Sequence, residues 1–344
     1  MNNQLNDQLE ALKRPAGPLS KHAQAEPRRL GPAPRAELRR RRARWPLAGY
    51  LFLLPNGVGF VAFMLLPLLA SLALAFTDWQ MLIPEVRFVG LGNFVRLLGF
   101  TWTEDGIAWN DPDFWYFLYN TLFLMLGVPI SMFASLGLAI VVNNRLPGVV
   151  VFRTLFYLPT ICNGIAVLML WRLMFHADVG LLNQMLAGIG ISGPDWLQST
   201  AWAKPALIIV AVWIAAGGNN MIIYLAGLQN IPSELYEAAD LDGAGWWSRL
   251  RHITWPQLAP STFFIFTMGI IGAFQGGFNA AYIMTQGGPA GSTTTISYYI
   301  FNTAYDGQLL MGYGCAIAWV LFLLVMTVTL INWYVGRESA LEGN

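Results

Sequence analysis

Six long apolar runs constrain this chain more than any other feature of its sequence. Each is long enough to cross a bilayer core, which takes about 20 consecutive, mainly apolar residues in a helix. None shows the alternation that the strands of a membrane barrel require. Because 56% of the residues are hydrophobic and only 11% are charged, we predict an all-α membrane protein with six transmembrane helices. The runs cover residues 47–76, 115–142, 149–175, 205–228, 260–285 and 312–334.

The basic residues are concentrated before the first run. Eleven of the 20 Lys and Arg residues precede Trp45. Positively charged residues next to a span stay on the cytoplasmic side of the membrane. We therefore predict that the N-terminus is cytoplasmic and that six spans return the C-terminus to the cytoplasm.

Composition divides the chain into four segments. Residues 1–44 lack apolar periodicity, so we predict a disordered basic cytoplasmic tail. An Arg-rich transit peptide is the alternative, but the four acidic residues of this tail count against it. Residues 45–114 would hold the first transmembrane helix and an extracytoplasmic loop. Residues 115–335 would form the transmembrane core, and residues 336–344 a cytoplasmic C-terminal tail.

A polar segment, residues 229–259, separates the fourth and fifth runs. It contains a fixed spacing: Glu-Ala-Ala, three residues, Gly, nine residues, Ile, two residues and Pro. The candidate interaction residues in this spacing are Glu237, Ala238, Ala239, Asp240, Gly243, Ile253 and Pro256.

The residue types of this segment predict two short helices. Ser233 is a favourable N-cap for the first, and Gly243 can adopt the left-handed backbone that ends it. A second helix would begin at Ala244. The small Ala side chains would let another surface approach closely. On these properties alone, an amphipathic helix at the membrane surface and a docking site for another protein fit equally well.

The spacing resembles the cytoplasmic loop of ABC importer permeases. The family pattern ends in Leu-Pro, whereas this chain has Trp255-Pro256, which keeps a large apolar side chain before the proline. Other stretches resemble the carbohydrate-uptake branch, and the chain looks most like the first permease subunit of maltose-type and glycerol-phosphate-type systems over residues 46–335. These stretches include FRTLFYLPT (152–160), AGLQNIP (226–232) and YIMTQGGP (282–289).

The resemblance implies a type I ABC importer permease fold and a set of partners. A second permease subunit would complete a heterodimer, two ATPase subunits would dock on the polar segment as a coupling helix, and an extracytoplasmic solute-binding protein would deliver the solute. ATP and Mg would bind to the ATPase, so this chain is expected to hold no cofactor or metal. Membrane lipid would surround the spans in the inner membrane of a prokaryote. No nucleic acid is expected.

Uncharged polar residues near the middle of the spans are candidates for a solute pathway. Gln275 and Asn279 are four residues apart and share one face of the fifth span. Trp213 and Asn219 bracket a Gly pair in the fourth, and Asn163 follows a proline in the third. A sugar needs amide hydrogen bonds for its hydroxyls and an aromatic face for its ring. Helix packing in lipid uses the same residue types and is the alternative role.

The chain lacks the residues of an enzyme that binds ATP. It has no Gly-x-x-x-x-Gly-Lys-Ser/Thr sequence, and we expect no catalytic residues. The scarcity of ionisable groups in the spans disfavours an ion-coupled carrier. Arg172 and His176 leave open an importer of glycerol phosphate or another small anionic ester. An integral membrane glycosyl transferase is a distant alternative, with Asp111 and Asp113 as its nearest acids.

Overall fold

The computed structural model describes residues 49–103, 106–144 and 148–341. The predicted N-terminal tail, residues 1–44, lies outside the described residues. The chain divides into two units between Leu66 and Pro67. The polar segment and the second to sixth apolar runs all belong to the second unit.

Six membrane spans are compatible with the helices of the described residues. Four helices are individually long and apolar enough to cross a membrane, and two bent pairs bring the number to six if each pair is one span. The four are Gly49–Leu74, Pro112–Asn143, Ala259–Thr285 and Met311–Tyr334; the pairs are Val149–Ile161 with Gly164–Met174 and Ala203–Ala216 with Asn219–Gln229.

The second and fifth spans combine shorter helical segments. The second joins helices Pro112–Leu124 and Gly127–Asn143, and Asp111 caps its start by accepting a hydrogen bond from the Phe114 backbone N–H at 2.9 Å. The fifth consists of an α-helix and a terminal π-helical turn. Their bounds are Ala259–Ala280 and Ala281–Thr285.

The third span, an apolar run over residues 149–175 for which a kink at Pro159 was expected, is broken into two helices. Its halves meet at an angle of 98°. Cys162 and Asn163 leave the helical region (ψ 151° and 121°), and the Asn163 side chain accepts a hydrogen bond from the Ile165 N–H at 2.9 Å. The break therefore lies just after Pro159 and begins a new, capped helix.

The fourth span bends by 43° at Gly217 and Gly218. A Cβ atom at Gly217 would lie 2.2 Å from the Phe156 carbonyl oxygen, and one at Gly218 would lie 2.6 Å from the Thr160 hydroxyl. Only glycine allows this close approach between the third and fourth spans.

Short elements connect the spans. A two-stranded antiparallel hairpin and a seven-residue helix precede the second span, where the sequence predicted only a loop. A further short helix lies between the third and fourth spans. The remaining bounds are Val61–Leu65 (π), Leu66–Leu74, Gly92–Leu98, strands Phe100–Thr103 and Gly106–Trp109, Leu181–Gly188, Ile296–Phe301, Asn302–Asp306 (π) and Met311–Leu341.

A buried core joins the second, fourth and fifth spans. Leu136 of the second packs with Tyr224 of the fourth and Leu258 and Ile265 at the fifth. At Gly227 the packing is so close that a Cβ atom would lie 2.7 Å from the Leu258 side chain. Close packing between the fourth and fifth spans thus fixes the two ends of the polar segment.

Candidate functional site

The first helix of the polar segment, called here the loop helix, covers Ser233–Leu241. Its N-cap residue is Pro232, which has no side-chain hydrogen bond to the helix. Ser233 as an N-cap is therefore wrong: the proline already fixes the extended backbone that precedes the first turn. Glu234 lies in that first turn, where the helix dipole favours an acidic side chain.

The C-terminus of the loop helix closes with a Schellman motif. The Ala244 N–H bonds to the Ala239 carbonyl at 2.8 Å, and the Gly243 N–H bonds to the Asp240 carbonyl at 3.1 Å. Gly243 has a φ of +72°, as its position in the sequence predicted. A Cβ atom there would have no other atom within 4 Å, so backbone conformation alone demands glycine.

One face of the loop helix is fastened to the second half of the segment. The Tyr236 and Thr254 hydroxyls share a hydrogen bond at 2.9 Å. Arg249 forms an ion pair with Asp240 at 2.5 Å. Of the predicted interaction residues, Ala239 is half-buried on this face. Asp240 therefore makes a contact within the polar segment, between the loop helix and the second half of the segment.

The side chains of the opposite face make no hydrogen bond or ion pair with any described residue. Glu234, Glu237, Ala238 and Leu241 follow the i, i+3, i+4, i+7 spacing of one helix face, and all four are exposed. Leu241 is 91% exposed, although leucine would ordinarily favour burial. Sequence reasoning missed Leu241, and its spacing of four from Glu237 was the signal that could have found it.

The second half of the segment is a nearly continuous helical stretch. It runs through Trp246–Arg249, a π-helical turn Leu250–Thr254 and Trp255–Gln257, so it begins two residues later than predicted. Ile253 is half-buried and Pro256 exposed. These two residues therefore lie outside the loop helix, in the stretch that leads into the fifth span.

The predicted pathway residues of the fifth span do share one exposed face. Gln275 and Asn279 are exposed, and neither side chain makes a hydrogen bond to any described residue. Tyr282, three residues further on, is 43% exposed and stacks on Phe278 with ring centroids 5.4 Å apart. Two amides and an aromatic ring therefore form a stripe on this helix, and Tyr282 is a member that sequence reasoning missed.

The other predicted pathway residues have structural contacts of their own. Asn163 caps a helix, as described above. The Trp213 ring lies edge-on to Trp171 at 5.3 Å, and Asn219 accepts a hydrogen bond from the Tyr157 hydroxyl at 3.4 Å. Within the described chain, no hydrogen bond or ring contact joins any two of the five predicted pathway residues.

A cavity of about 300 Å³ lies between the second, fourth and fifth spans. Ser131 and Asn220 are its polar residues, and Gly272 and Gly276 contribute part of the fifth-span wall. The glycines that flank Gln275 in sequence thus face this cavity. Asn220 was also missed; its place beside Asn219, after the Gly pair, was the available signal.

The residues behind the alternative functions have protein partners. Arg172 donates a hydrogen bond to the Ile283 carbonyl at 3.1 Å, which fastens the third span to the fifth. His176 lies beside the backbone N–H groups of Asp178 and Val179. In the described residues, no group of three or more His, Cys, Asp or Glu side chains could hold a metal ion.

Asp111, the acid considered for a transferase, is 8% exposed. It accepts hydrogen bonds from the Tyr299 hydroxyl at 2.7 Å and from the Tyr313 hydroxyl. Burial, reinforced by this carboxylate, raises the pKa of Tyr299. This network joins the start of the second span to two later helices and leaves the carboxylate inaccessible to a substrate.

Comparison with known proteins gives consistent matches. The family described as binding-protein-dependent transport system inner membrane component matches residues 116–337. The lactose transport system permease protein LacF from Rhizobium radiobacter is 38% identical over 84% of this chain and 94% of its own. The trehalose/maltose transport system permease protein MalF from Thermococcus litoralis is 34% identical, and the alignment covers 84% of this chain and 93% of that protein.

A solved structure shares the fold. A chain of a bacterial alginate ABC transporter, solved in complex with an alginate-bound periplasmic protein, superimposes with a TM-score of 0.72. The alignment covers 86% of this chain and 96% of that one, at 24% identity.

Proposed function

This chain belongs to the family of binding-protein-dependent transport system inner membrane components, and we propose that it conducts an uncharged carbohydrate while a separate ATPase drives it through the loop helix. Family membership confirms the predicted fold class, the inner-membrane location and the role of an ABC importer permease subunit. ATP hydrolysis is the task of a different subunit in such importers. The transferase alternative is set aside.

The exposed face of the loop helix is the observation that carries the coupling role. Its other face is fastened by the Tyr236–Thr254 hydrogen bond and the Asp240–Arg249 ion pair. A force applied to the exposed face would therefore reach the fourth and fifth spans through a folded unit. Ala238 permits close approach, Leu241 offers an apolar anchor and Glu237 a charge. We assign these three residues to the contact with the ATPase.

The remaining residues of the spacing would act as support. Ala239 and Asp240 hold the loop helix against the second half of the segment, Gly243 ends it, and Ile253 and Pro256 lead into the fifth span. ATP and Mg bound between two ATPase subunits would close that pair. The loop helix would move with it and turn the pathway outward. We propose that the loop lies on the cytoplasmic side, where both termini are predicted to lie.

The solute class follows from relatives and from the stripe on the fifth span. LacF and MalF are named for lactose and for trehalose and maltose, which are uncharged sugars. Gln275 and Asn279 can donate and accept hydrogen bonds, and Tyr282 offers an aromatic face. Arg172, the cation that would favour an anionic ester, already donates to the Ile283 carbonyl. We propose that a second permease subunit completes the route and that a solute-binding protein loads it.

Cysteine cross-linking tests the docking assignment. In a background without the two native cysteines, Leu241→Cys and Ala238→Cys are expected to cross-link to the ATPase subunit in the assembled complex. Asp113→Cys is the matched control, because it is also exposed but lies at the opposite end of the second span. Equal cross-linking at Asp113, or none at Leu241 and Ala238, would refute the assignment.

Uptake competition tests the solute class. Unlabelled neutral di- and oligosaccharides are expected to compete with the transported sugar, while glycerol phosphate is not. Competition by the phosphate ester that Arg172→Gln abolishes would favour the anionic alternative instead.

A further inference from the structure

A second cavity, of about 710 Å³, lies beside the polar segment. Its volume is within the range of sites that hold a small organic molecule, about 300–1,000 Å³. One wall is the second span, with Phe133, Gly137 and Val141. The other wall is the second half of the polar segment. Its lining residues are Trp246, Trp247, Leu250, Arg251 and Trp255.

The walls place this cavity at the level of the membrane surface. The second span ends at Asn143 and the fifth begins at Ala259, so the cavity spans the last turns of one and the residues just before the other. Trp246 and Trp247 remain 62% and 64% exposed. Exposed tryptophans at the end of a span are typical of the lipid headgroup region.

The wall that Phe133, Gly137 and Trp255 form is apolar and open. Trp255 stacks on Phe133, with ring centroids 6.0 Å apart and planes within 10°. A Cβ atom at Gly137 would have no atom within 4 Å, so the helix surface there leaves space for a slender chain. Trp255 is the residue by which the loop departs from the Leu-Pro pattern, and its ring shapes this wall.

A single unpaired cation stands among the lining residues. Arg251 is exposed, and its side chain forms no hydrogen bond or ion pair with any residue that the structure describes. Arg249, on the same helical stretch, is already paired with Asp240. No acidic residue lines the cavity. The cavity therefore combines an apolar slot with one unpaired positive charge, that of Arg251. Both lie beside the exposed pair Trp246 and Trp247.

We propose that this cavity binds an anionic phospholipid, with an acyl chain along Gly137 and Phe133 and the phosphate at Arg251. A basic group between helices at the membrane surface is a recurring headgroup site. Charge complementarity favours an anionic lipid, because no lining residue supplies a counterion for Arg251 and a phosphate would supply one.

Native mass spectrometry of the assembled importer tests the charge. Retention of phosphatidylglycerol relative to phosphatidylethanolamine is expected to fall about fivefold in Arg251→Gln, which corresponds to about 1 kcal/mol for one Arg near a membrane surface. Arg251→Lys should keep most of the preference. Arg87→Gln is the matched control, since Arg87 is an exposed arginine already paired with Glu85.

A second variant tests the slot independently of charge. Gly137→Leu has room and improves helix propensity, so it should fold, and it is expected to reduce retention of both lipids. Unchanged retention in both Arg251→Gln and Gly137→Leu would overturn the proposal. So would lipid that is retained by the full chain alone but lost on assembly with the second permease, because a protein would then occupy the cavity.

Discussion

Replacing Gly243 by valine isolates the backbone conformation that ends the loop helix. Gly243 has a φ of +72° and open space around its Cβ position, so the substitution adds strain without a steric clash. A non-glycine residue in this left-handed region costs about 1–2 kcal/mol, and a β-branched one is a marked outlier. That cost lowers the population of the closed Schellman end by roughly 5- to 30-fold.

The assay is solute uptake together with ATPase binding, measured on membranes with equal amounts of inserted chain. Gly243→Val is expected to uncouple transport while insertion is intact. Gly245→Val provides a matched control, because Gly245 has a φ of −67° and equally open space. Gly243→Asn should retain more uptake than Gly243→Val, since asparagine tolerates the left-handed region.

Normal uptake by Gly243→Val would refute this reasoning. Equal loss in Gly243→Val and Gly245→Val would also contradict it, because the effect would then come from added side-chain bulk and not from backbone strain.

Three further predictions concern separate contacts. Gln275→Ala and Asn279→Ala should each raise the KM of uptake roughly 2- to 10-fold, as expected for the loss of one neutral hydrogen bond to the solute. The unfolding temperature should not change. A lower unfolding temperature with an unchanged KM would indicate that these side chains serve helix packing. The raised pKa of Tyr299 contributes stability that is complete below the ordinary pKa of 10.0 and is lost as the pH rises through the raised value. Tyr299→Phe should therefore reduce the loss of folding stability at alkaline pH. An unchanged loss of stability would contradict this role of Tyr299. The Asp240–Arg249 pair is partly exposed (59% and 32%), so a double-mutant cycle should give at most about 1 kcal/mol and shrink in high salt.

Features set by local pattern could be predicted from the sequence. The fifth span was predicted over residues 260–285 and extends over Ala259–Thr285, because an apolar run bounded by polar residues leaves little freedom. The left-handed backbone at Gly243 followed from a glycine placed after a helical stretch. The sequence FTWTEDGIAW (100–109), with Asp-Gly between two short stretches, also carried the signal of a hairpin, although only an extracytoplasmic loop was predicted there.

Features that depend on tertiary packing could not be predicted from the sequence in the same way. The 98° break of the third span depends on Asn163 capping a new helix, and the bend at Gly217 depends on the nearby Phe156 backbone. The spacing of four residues puts Leu241 on the same helix face as Glu237, but the exposure of that face is seen only in the structure. Asp240 was placed among the docking residues, and only the structure shows its pairing with Arg249.

The most direct test of the central claim is ATP hydrolysis by the reconstituted importer. This chain, the second permease and the ATPase are placed in liposomes with the solute-binding protein. Hydrolysis is predicted to rise when that protein carries a neutral oligosaccharide, to fall to the unstimulated level in Gly243→Val, and to be absent from this chain alone. Failure of the chain to bind the ATPase, together with unchanged uptake after substitution of Glu237, would contradict the account.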